Sequence, residues 1–461
     1  MNIKIIEPYA FNKRYDVRSP TPSMGPIIIA SLLKQKGHTA EVLSEYVTEF
    51  SVEEINEADL VGISITTYNA KRGYDIARRV KKPIVFGGFH ASLLPEECLS
   101  FGDYVITGDG HSIVGLADYL EREGAVAIRQ IPNLVYKNGE KIVYNHSETN
   151  SVNVIPDFSL VKNYYKNNLN RILRIPLLTS ASRGCHCHCT FCAIKAIFPD
   201  FKKKDKMTLI KDIKNQISNQ HFFSKFLPRI VWITDDNFFS DKEWAKDILR
   251  ELSTLKTHYR FVIQARPDIA TDDELLELLK DAKVGIVYMG IESLDQKSLD
   301  NFNKELSVRD IEFAIKKIRS HGINVHGLFV FGDDAFKKGD GLKIAEFVRR
   351  QKLSGALIQP LIPFPKTKLY ERLKAEGRLL HEDWQHYNGK VVFKPKNMTA
   401  AELQKEIYDC YKKVFSLLRV FNFILKGPRG FKLAGLGEAR FRHLEWQKKK
   451  NYIKDRLEQI K

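Results

Sequence analysis

The sequence is short of three things: cysteine, long apolar runs and acidic charge. Only six of 461 residues are cysteine. No apolar run approaches the roughly 20 residues of a membrane-spanning helix, and the start, "MNIKIIEPYAF", shows no basic n-region leading into an apolar stretch. A spanning segment and a secretory leader are therefore not expected, and the expected location is cytoplasmic. Thiols stay reduced there, which excludes a disulfide framework. Acidic residues number 56 against 73 Lys and Arg, a net charge of +17. Residues 411–461 hold 14 Lys/Arg and 4 Asp/Glu, a surplus of 10, so most of the imbalance is local. Such a patch attracts an anion: a phosphate-bearing substrate, a membrane surface or nucleic acid. The length suits two or three domains, and no solenoid-length repeat or low-complexity segment is present.

What cysteine there is lies bunched. Cys185, Cys187, Cys189 and Cys192 fall within eight residues of "SRGCHCHCTFCAIK" (182–195), while Cys98 and Cys410 stand alone and read as ordinary buried thiols. Structural zinc takes two separated ligand pairs, and no second pair exists. A chance cluster of free thiols is the bland alternative. An iron–sulfur cluster fits better, because thiolates hold such clusters and a short loop can wrap one.

The order of elements indicates an α/β protein. Through about residue 125 short apolar strands alternate with helices ("NIKIIEPYA", "SMGPIIIASLLKQKG", "TAEVLSEY", "ADLVGISITT", "PIVFGG", "DYVITGDG"), implying a doubly wound, Rossmann-like parallel sheet. Ligands bind such a sheet beyond the carboxyl ends of its strands, here at Ser64–Asn69, Gly87–His90 and Thr107–Gly110. Residues 133–145 read as a hairpin around Asn138-Gly139, with a type I′ turn, in a connector between domains. A second β–α series starts near 175 with six candidate strands, which suits a partial (β/α)6 TIM-like barrel whose function gathers at the strand C-termini. The expected domains are 1–130, a hairpin and linker over 131–170, the barrel over 171–375, and a basic helical region over 376–461.

Cys185, Cys189 and Cys192 form C-x3-C-x2-C after the first strand of that series. This resembles the radical S-adenosylmethionine (radical SAM) superfamily. The resemblance implies a 4Fe–4S cluster held by these three thiolates, with one iron left open to chelate S-adenosylmethionine. One electron would then generate a 5′-deoxyadenosyl radical. It also implies that Phe191 lies near the adenine and that Asp235 and Asp236 of "WITDDNFF" stand where the family has a Gly-Gly-Glu segment meeting the methionine ammonium. Gln264 and Arg266 of "QARPD" can reach the site. Glu292 and Ser293 of "MGIESLD" match a Gly-x-Glu-Ser segment, where Glu292 would bind ribose hydroxyls or pair with Arg266. Gly332, Asp333 and Lys366 follow the last strands and could touch substrate. Cys187, His186 and His188 read as loop residues.

"VFGGFHASLLPEE" (85–97) and "GDYVITGDG" (102–110) extend the resemblance to the cobalamin-binding branch. Ser64, Thr66, Thr67, Gly87, Gly88, His90 and Gly108 would then flank cobalamin. The Asp-x-His-x-x-Gly segment that gives cobalt a histidine elsewhere is absent, so His90 is not read as a cobalt ligand. The resemblance implies a cobalamin-dependent methyltransferase acting on an unactivated carbon, with ring closure or carbon–carbon bond formation as the alternative. An external one-electron reductant such as flavodoxin or ferredoxin is implied, with a small-molecule or lipid substrate. A nucleic-acid modifier of the methylthiotransferase kind would carry further cluster cysteines in the first domain, where only Cys98 occurs. A mere electron carrier would need no barrel. The tail segment "YKKVFSLLRVFNFILKGPRGFK" mixes apolar and basic residues, as would a helix at an anionic membrane surface or one packed on the barrel.

Overall fold

The computed structural model describes residues 1–9, 22–122, 127–148, 153–166, 177–218 and 229–415. The chain divides into two compact units. Of the described residues, the first unit holds those up to 166 together with 193–218, and the second holds 177–192 and 229–415.

In the first unit β1 (Asn2–Glu7), β2 (Thr39–Ser44), β3 (Leu60–Ser64), β4 (Ile84–Gly87) and β5 (Tyr104–Ile106) form a parallel sheet in the order 2-1-3-4-5. Both faces are covered, which is why the strands are apolar almost throughout. Ile3, Ile5, Val42 and Ile106 pack on one face with Ile27 and Leu33 of α1 (Met24–Gln35). Ile6, Val61, Ile63 and Phe86 pack on the other with Tyr74 and Ile76 of α2 (Ala70–Ala77). This is the doubly wound sheet expected.

Two expectations about the connector are corrected. β6 (Leu134–Asn138) and β7 (Lys141–Tyr144) are no free ribbon. β6 pairs antiparallel with β5, and the hairpin becomes the edge of the first sheet. Its two-residue loop is Gly139-Glu140, not Asn138-Gly139. Only Gly139 has positive φ, +61°, which matches a type II′ turn rather than I′. Past the hairpin, Phe158 and Val161 are buried in the same core, and the Lys162 amide bonds to the Val42 carbonyl. Residues 193–218, expected in the barrel domain, group with this unit and contain the helix Lys206–Ser218.

In the second unit β8 (Leu177–Thr179), β9 (Arg229–Ile233), β10 (Tyr259–Ala265), β11 (Val284–Glu292), β12 (Asn324–Phe331) and β13 (Gly355–Pro360) pair in parallel, each with its neighbours in sequence. β8 and β13 are the two edges, so the TIM-like barrel is open. Intervening helices start at side-chain caps written into the sequence: Asp241, Asp272 and Ser307 each accept a backbone N–H of the first turn. The β13 edge is covered by the helix Ala400–Val414, whose Tyr411 hydroxyl donates to the Ile358 carbonyl and accepts from the Ile358 amide. Most of the amphipathic basic tail, residues 416–461, lies outside the described residues.

Candidate functional site

The cysteine loop leaves the C-terminal end of β8 and is tied down on both sides. At its entry the Ala181 amide and the Ser182 hydroxyl donate to Asp235, at 2.7 and 2.5 Å. Asp235 is 3% exposed. This differs from its expected role: both its oxygens serve the turn that launches the loop, while the neighbouring Asp236 accepts a backbone hydrogen bond from Gly184. Farther along, the Thr190 amide and hydroxyl reach the carbonyls of Phe302 and Asn301, Asn303 donates to the His188 carbonyl, and the Leu369 amide donates to the Thr190 carbonyl. His186 Nδ1 lies 3.0 Å from the Ser240 carbonyl oxygen. His186 is thus a loop-holding residue, as expected. Phe191 packs edge-on against Phe302, ring centres 5.1 Å apart.

All four thiols of the loop are half-buried and reduced. The Cys187 amide lies 3.4 Å from Cys185 Sγ, and the Ser240 hydroxyl 3.9 Å. Hydrogen bonds from the Cys187 thiol, and then from Ser240 and Asn237, bring the Cys185 thiol down against the opposing effect of burial. Burial pushes Cys189 up, against the opposing pull of Lys304 and Arg266. Asp236 is raised to about 7 by burial, helped by the charges of Asp235 and Cys185. Gln264 donates to the Asp236 carbonyl at 3.1 Å.

The expected Arg266–Glu292 pair is not what forms. Glu292, 8% exposed, pairs with Lys304 at 3.0 Å, and Arg266 donates to the Lys304 carbonyl at 2.6 Å. The reason is local. Glu292 takes a left-handed φ of +64°, which turns its carboxylate back across Gly290, where a Cβ would stand 2.8 Å from Oε1. Lys304 is itself 4% exposed, and its neighbours Asn303 and Glu305 are also left-handed. The two cations thereby come beside the thiols, and Lys304 is a site residue the sequence reading missed. Ser293 accepts the Asp295 amide and shapes the following turn. Asp333 accepts from Ser298, Asn301 and the Ala335 amide. At Gly332 a Cβ would stand 2.4 Å from Leu403. Both residues are thus explained by packing rather than substrate contact. Four residues below Glu292 on β11, Tyr288 stacks on Trp232 and His326, with centroids 5.1 and 4.5 Å apart.

In the first unit three strand-end loops are laced through neutral hydrogen bonds. The Ile65 amide donates to the Gly87 carbonyl and the His90 amide to the Ile65 carbonyl. The Ser92 hydroxyl donates to the Gly88 carbonyl and accepts the Gly108 amide, both at 2.9 Å. Ser92 was not singled out from sequence. The lacing gathers Ser64, Gly87, Gly88 and Gly108. Thr66 is held through its amide by Asn69, and Thr67 is 2% exposed. His90 departs from expectation. It is fully buried, with Nε2 3.1 Å from the Tyr74 hydroxyl and 3.3 Å from Glu97, so this nitrogen serves the domain's interior rather than a cofactor.

These sites fit the groups they were read for. Three thiols from one loop, flanked by two cations, are a donor set for an iron–sulfur cluster. Gly88 is required by the chain itself, since φ is +93° and a Cβ would stand 2.7 Å from the Ile65 carbonyl oxygen. At Gly87 a Cβ would meet nothing nearer than 3.9 Å. Internal packing therefore does not explain that glycine, whereas a large flat ligand approaching the backbone does.

Comparison with known proteins agrees. Residues 179–338 match the radical SAM superfamily, residues 15–117 the B12 binding domain, and residues 367–429 a domain of unknown function. The bacteriochlorophyllide d C-8(2)-methyltransferase of Chlorobaculum tepidum is 26% identical, covering 84% of this chain and 84% of that protein. The anaerobic magnesium-protoporphyrin IX monomethyl ester cyclase of Cereibacter sphaeroides is 24% identical, covering 94% of this chain and 73% of its own length. The fold is shared with OxsB, a cobalamin-dependent S-adenosylmethionine radical enzyme solved with aqua-cobalamin and S-adenosylmethionine bound. The TM-score is 0.72 at 15% identity, over 96% of this chain and 72% of that one.

Proposed function

The chain belongs to the cobalamin-binding branch of the radical SAM superfamily, and from that premise we propose that it methylates an unactivated carbon of a small-molecule or lipid substrate. The observation that carries the reading is the set of three thiols, Cys185, Cys189 and Cys192, on one clamped loop with Arg266 and Lys304 beside them. When bound, the cluster supplies the electron that opens the carbon–sulfur bond of S-adenosylmethionine, and cobalamin supplies the methyl group. The protein's part is to hold and orient. Asp235 fixes the entry of the loop. In this reading Asp236 would receive the ammonium group of S-adenosylmethionine and Glu292 its ribose hydroxyls. The Glu292–Lys304 pair keeps a buried charge neutralised. The Trp232–Tyr288–His326 stack gives the barrel interior an aromatic wall, and such walls keep water from reactive intermediates.

A second reading, ring closure or carbon–carbon bond formation, is favoured by the length of the match to the cyclase. The two differ in products. Incubation of the reconstituted enzyme with substrate, S-adenosylmethionine and a reductant should give 5′-deoxyadenosine and S-adenosylhomocysteine in equal amounts for a methyltransferase. A cyclase gives deoxyadenosine without homocysteine product, and an electron carrier gives neither. Cytoplasmic location, an external one-electron donor such as flavodoxin or ferredoxin, and attraction of an anionic substrate or membrane surface by the basic tail complete the proposal. Among the described residues no helix is long and apolar enough to cross a membrane. Vesicle co-sedimentation tests the tail: equal recovery with and without anionic lipid removes the membrane contact.

A further inference from the structure

The carboxyl edge of the first sheet carries one imidazole that the structure leaves unused. His111 follows Gly110 in the loop after β5, two residues ahead of α3 (Ile113–Glu121). Its side chain is 11% exposed; Nδ1 faces the Asp109 carboxylate, and Nε2 is buried without a hydrogen-bond partner among the described residues. The contrast between the two Nε2 atoms is with His90 in the same unit, whose Nε2 has both Tyr74 and Glu97 within reach. Burying a polar group unpaired is costly, and such groups in a folded protein call for a missing partner.

The surroundings say what kind. The Asp109 carboxylate, 3% exposed, has Oδ1 3.2 Å from His111 Nδ1, and that oxygen also accepts the His111 amide at 3.1 Å. A carboxylate beside Nδ1 favours the tautomer protonated there, which leaves Nε2 an acceptor. Three residues before His111, the Gly108 amide is bonded to Ser92, the residue that laces the glycine loops together. His111 therefore belongs to the loop set assigned above to the corrinoid, and its Nε2 is an acceptor without a partner among the described residues. The rim of a corrin ring bears primary amides, whose N–H groups are donors.

We propose that His111, oriented by Asp109, binds the corrinoid by accepting a hydrogen bond from a primary amide on the ring's rim. The inference rests on the cobalamin reading of the first unit and is separable from it.

The test uses the full-length protein, reconstituted anaerobically with its cluster, titrated with hydroxocobalamin and followed by absorbance and equilibrium dialysis. His111→Phe should bind about tenfold more weakly than wild type, while His111→Gln, which keeps an acceptor, should stay within about threefold. Iron content should be equal in all three, showing that the variants fold. Cobinamide, which lacks the nucleotide tail but keeps the ring amides, should show the same ratio. Wild-type affinity in His111→Phe overturns the assignment, as does a loss confined to cobalamin, which would move the contact to the tail. It is also overturned if cob(II)alamin in the wild type shows imidazole nitrogen splitting by electron paramagnetic resonance that vanishes in His111→Phe, because His111 would then be a cobalt ligand. Failure of the wild type to bind any corrinoid overturns the cofactor reading itself.

Discussion

The two sites of this chain are built from opposite materials. The loops of the first unit are glycine and hydroxyl chemistry: Gly87 leaves room, Gly88 makes the turn, and Ser92 joins the Gly88 and Gly108 loops through neutral hydrogen bonds. The mouth of the second unit is thiol and ion chemistry, with four cysteines, two cations and two carboxylates in one place. The first is shaped to let a large flat ligand approach the backbone. The second is shaped to hold charge away from water. A lesion in either unit should therefore fail in its own way.

The largest effect is expected at the thiols. Replacing Cys185, Cys189 or Cys192 with Ala should abolish both iron retention and S-adenosylmethionine cleavage, whereas Cys187→Ala should keep its iron. Iron analysis with deoxyadenosine assays checks this, and corrinoid binding should survive every one of these changes.

Next comes the buried pair. Lys304→Met leaves the Glu292 carboxylate buried and unpaired, and should cost about 3–5 kcal/mol in chemical denaturation. Adding Glu292→Gln should recover much of that loss. If the double variant is no better than the single, the pair is not coupled as its 3.0 Å contact indicates.

The glycine pair separates fold from ligand. Gly88→Ala should destabilise the protein by about 1–3 kcal/mol, because it forces a side chain into a left-handed backbone against the Ile65 carbonyl. Gly87→Ala should leave the melting temperature unchanged and weaken corrinoid binding. Equal behaviour of the two would erase the distinction between a glycine the chain needs and one the ligand needs.

A smaller effect is expected with acid. Asp334 forms ion pairs with Arg372, Arg378 and Lys396, which bring its carboxyl down to about 2 although burial pulls the other way. Its folded pKa lies below the unfolded one. The stabilisation is therefore complete above the usual aspartate range and disappears as pH falls from about 4 toward about 2. Allowing for solvent screening it amounts to about 1–2 kcal/mol. Urea unfolding across that window should show the slope in wild type and not in Asp334→Asn.

Much of this was legible in the residues because it was local. Apolar or alternating runs at strand spacing marked all thirteen of the strands labelled here, and the thiols and glycine pairs are contiguous. What escaped depends on where loops return. Lys304 lies twelve residues beyond its partner, and only the left-handed turn at Glu292 brings the two together. Asp235 looked like a ligand group because it ends a barrel strand, yet its oxygens are used on Ala181 and Ser182, more than fifty residues away. Ser92 and the sheet-edge hairpin depend likewise on tertiary pairing. His90 misled for a related reason: its segment reads as a loop flanking the cofactor, but the helix Phe89–Leu93 turns it into the core.

The central claim is that three thiolates of one loop hold a cluster with an iron left open to S-adenosylmethionine. The most direct measurement is electron paramagnetic resonance of the dithionite-reduced, reconstituted protein before and after that compound is added. The account predicts a reduced 4Fe–4S signal whose g-values shift on addition, in wild type and Cys187→Ala alike. A cluster signal that does not respond, or one that survives Cys189→Ala unchanged, would contradict it.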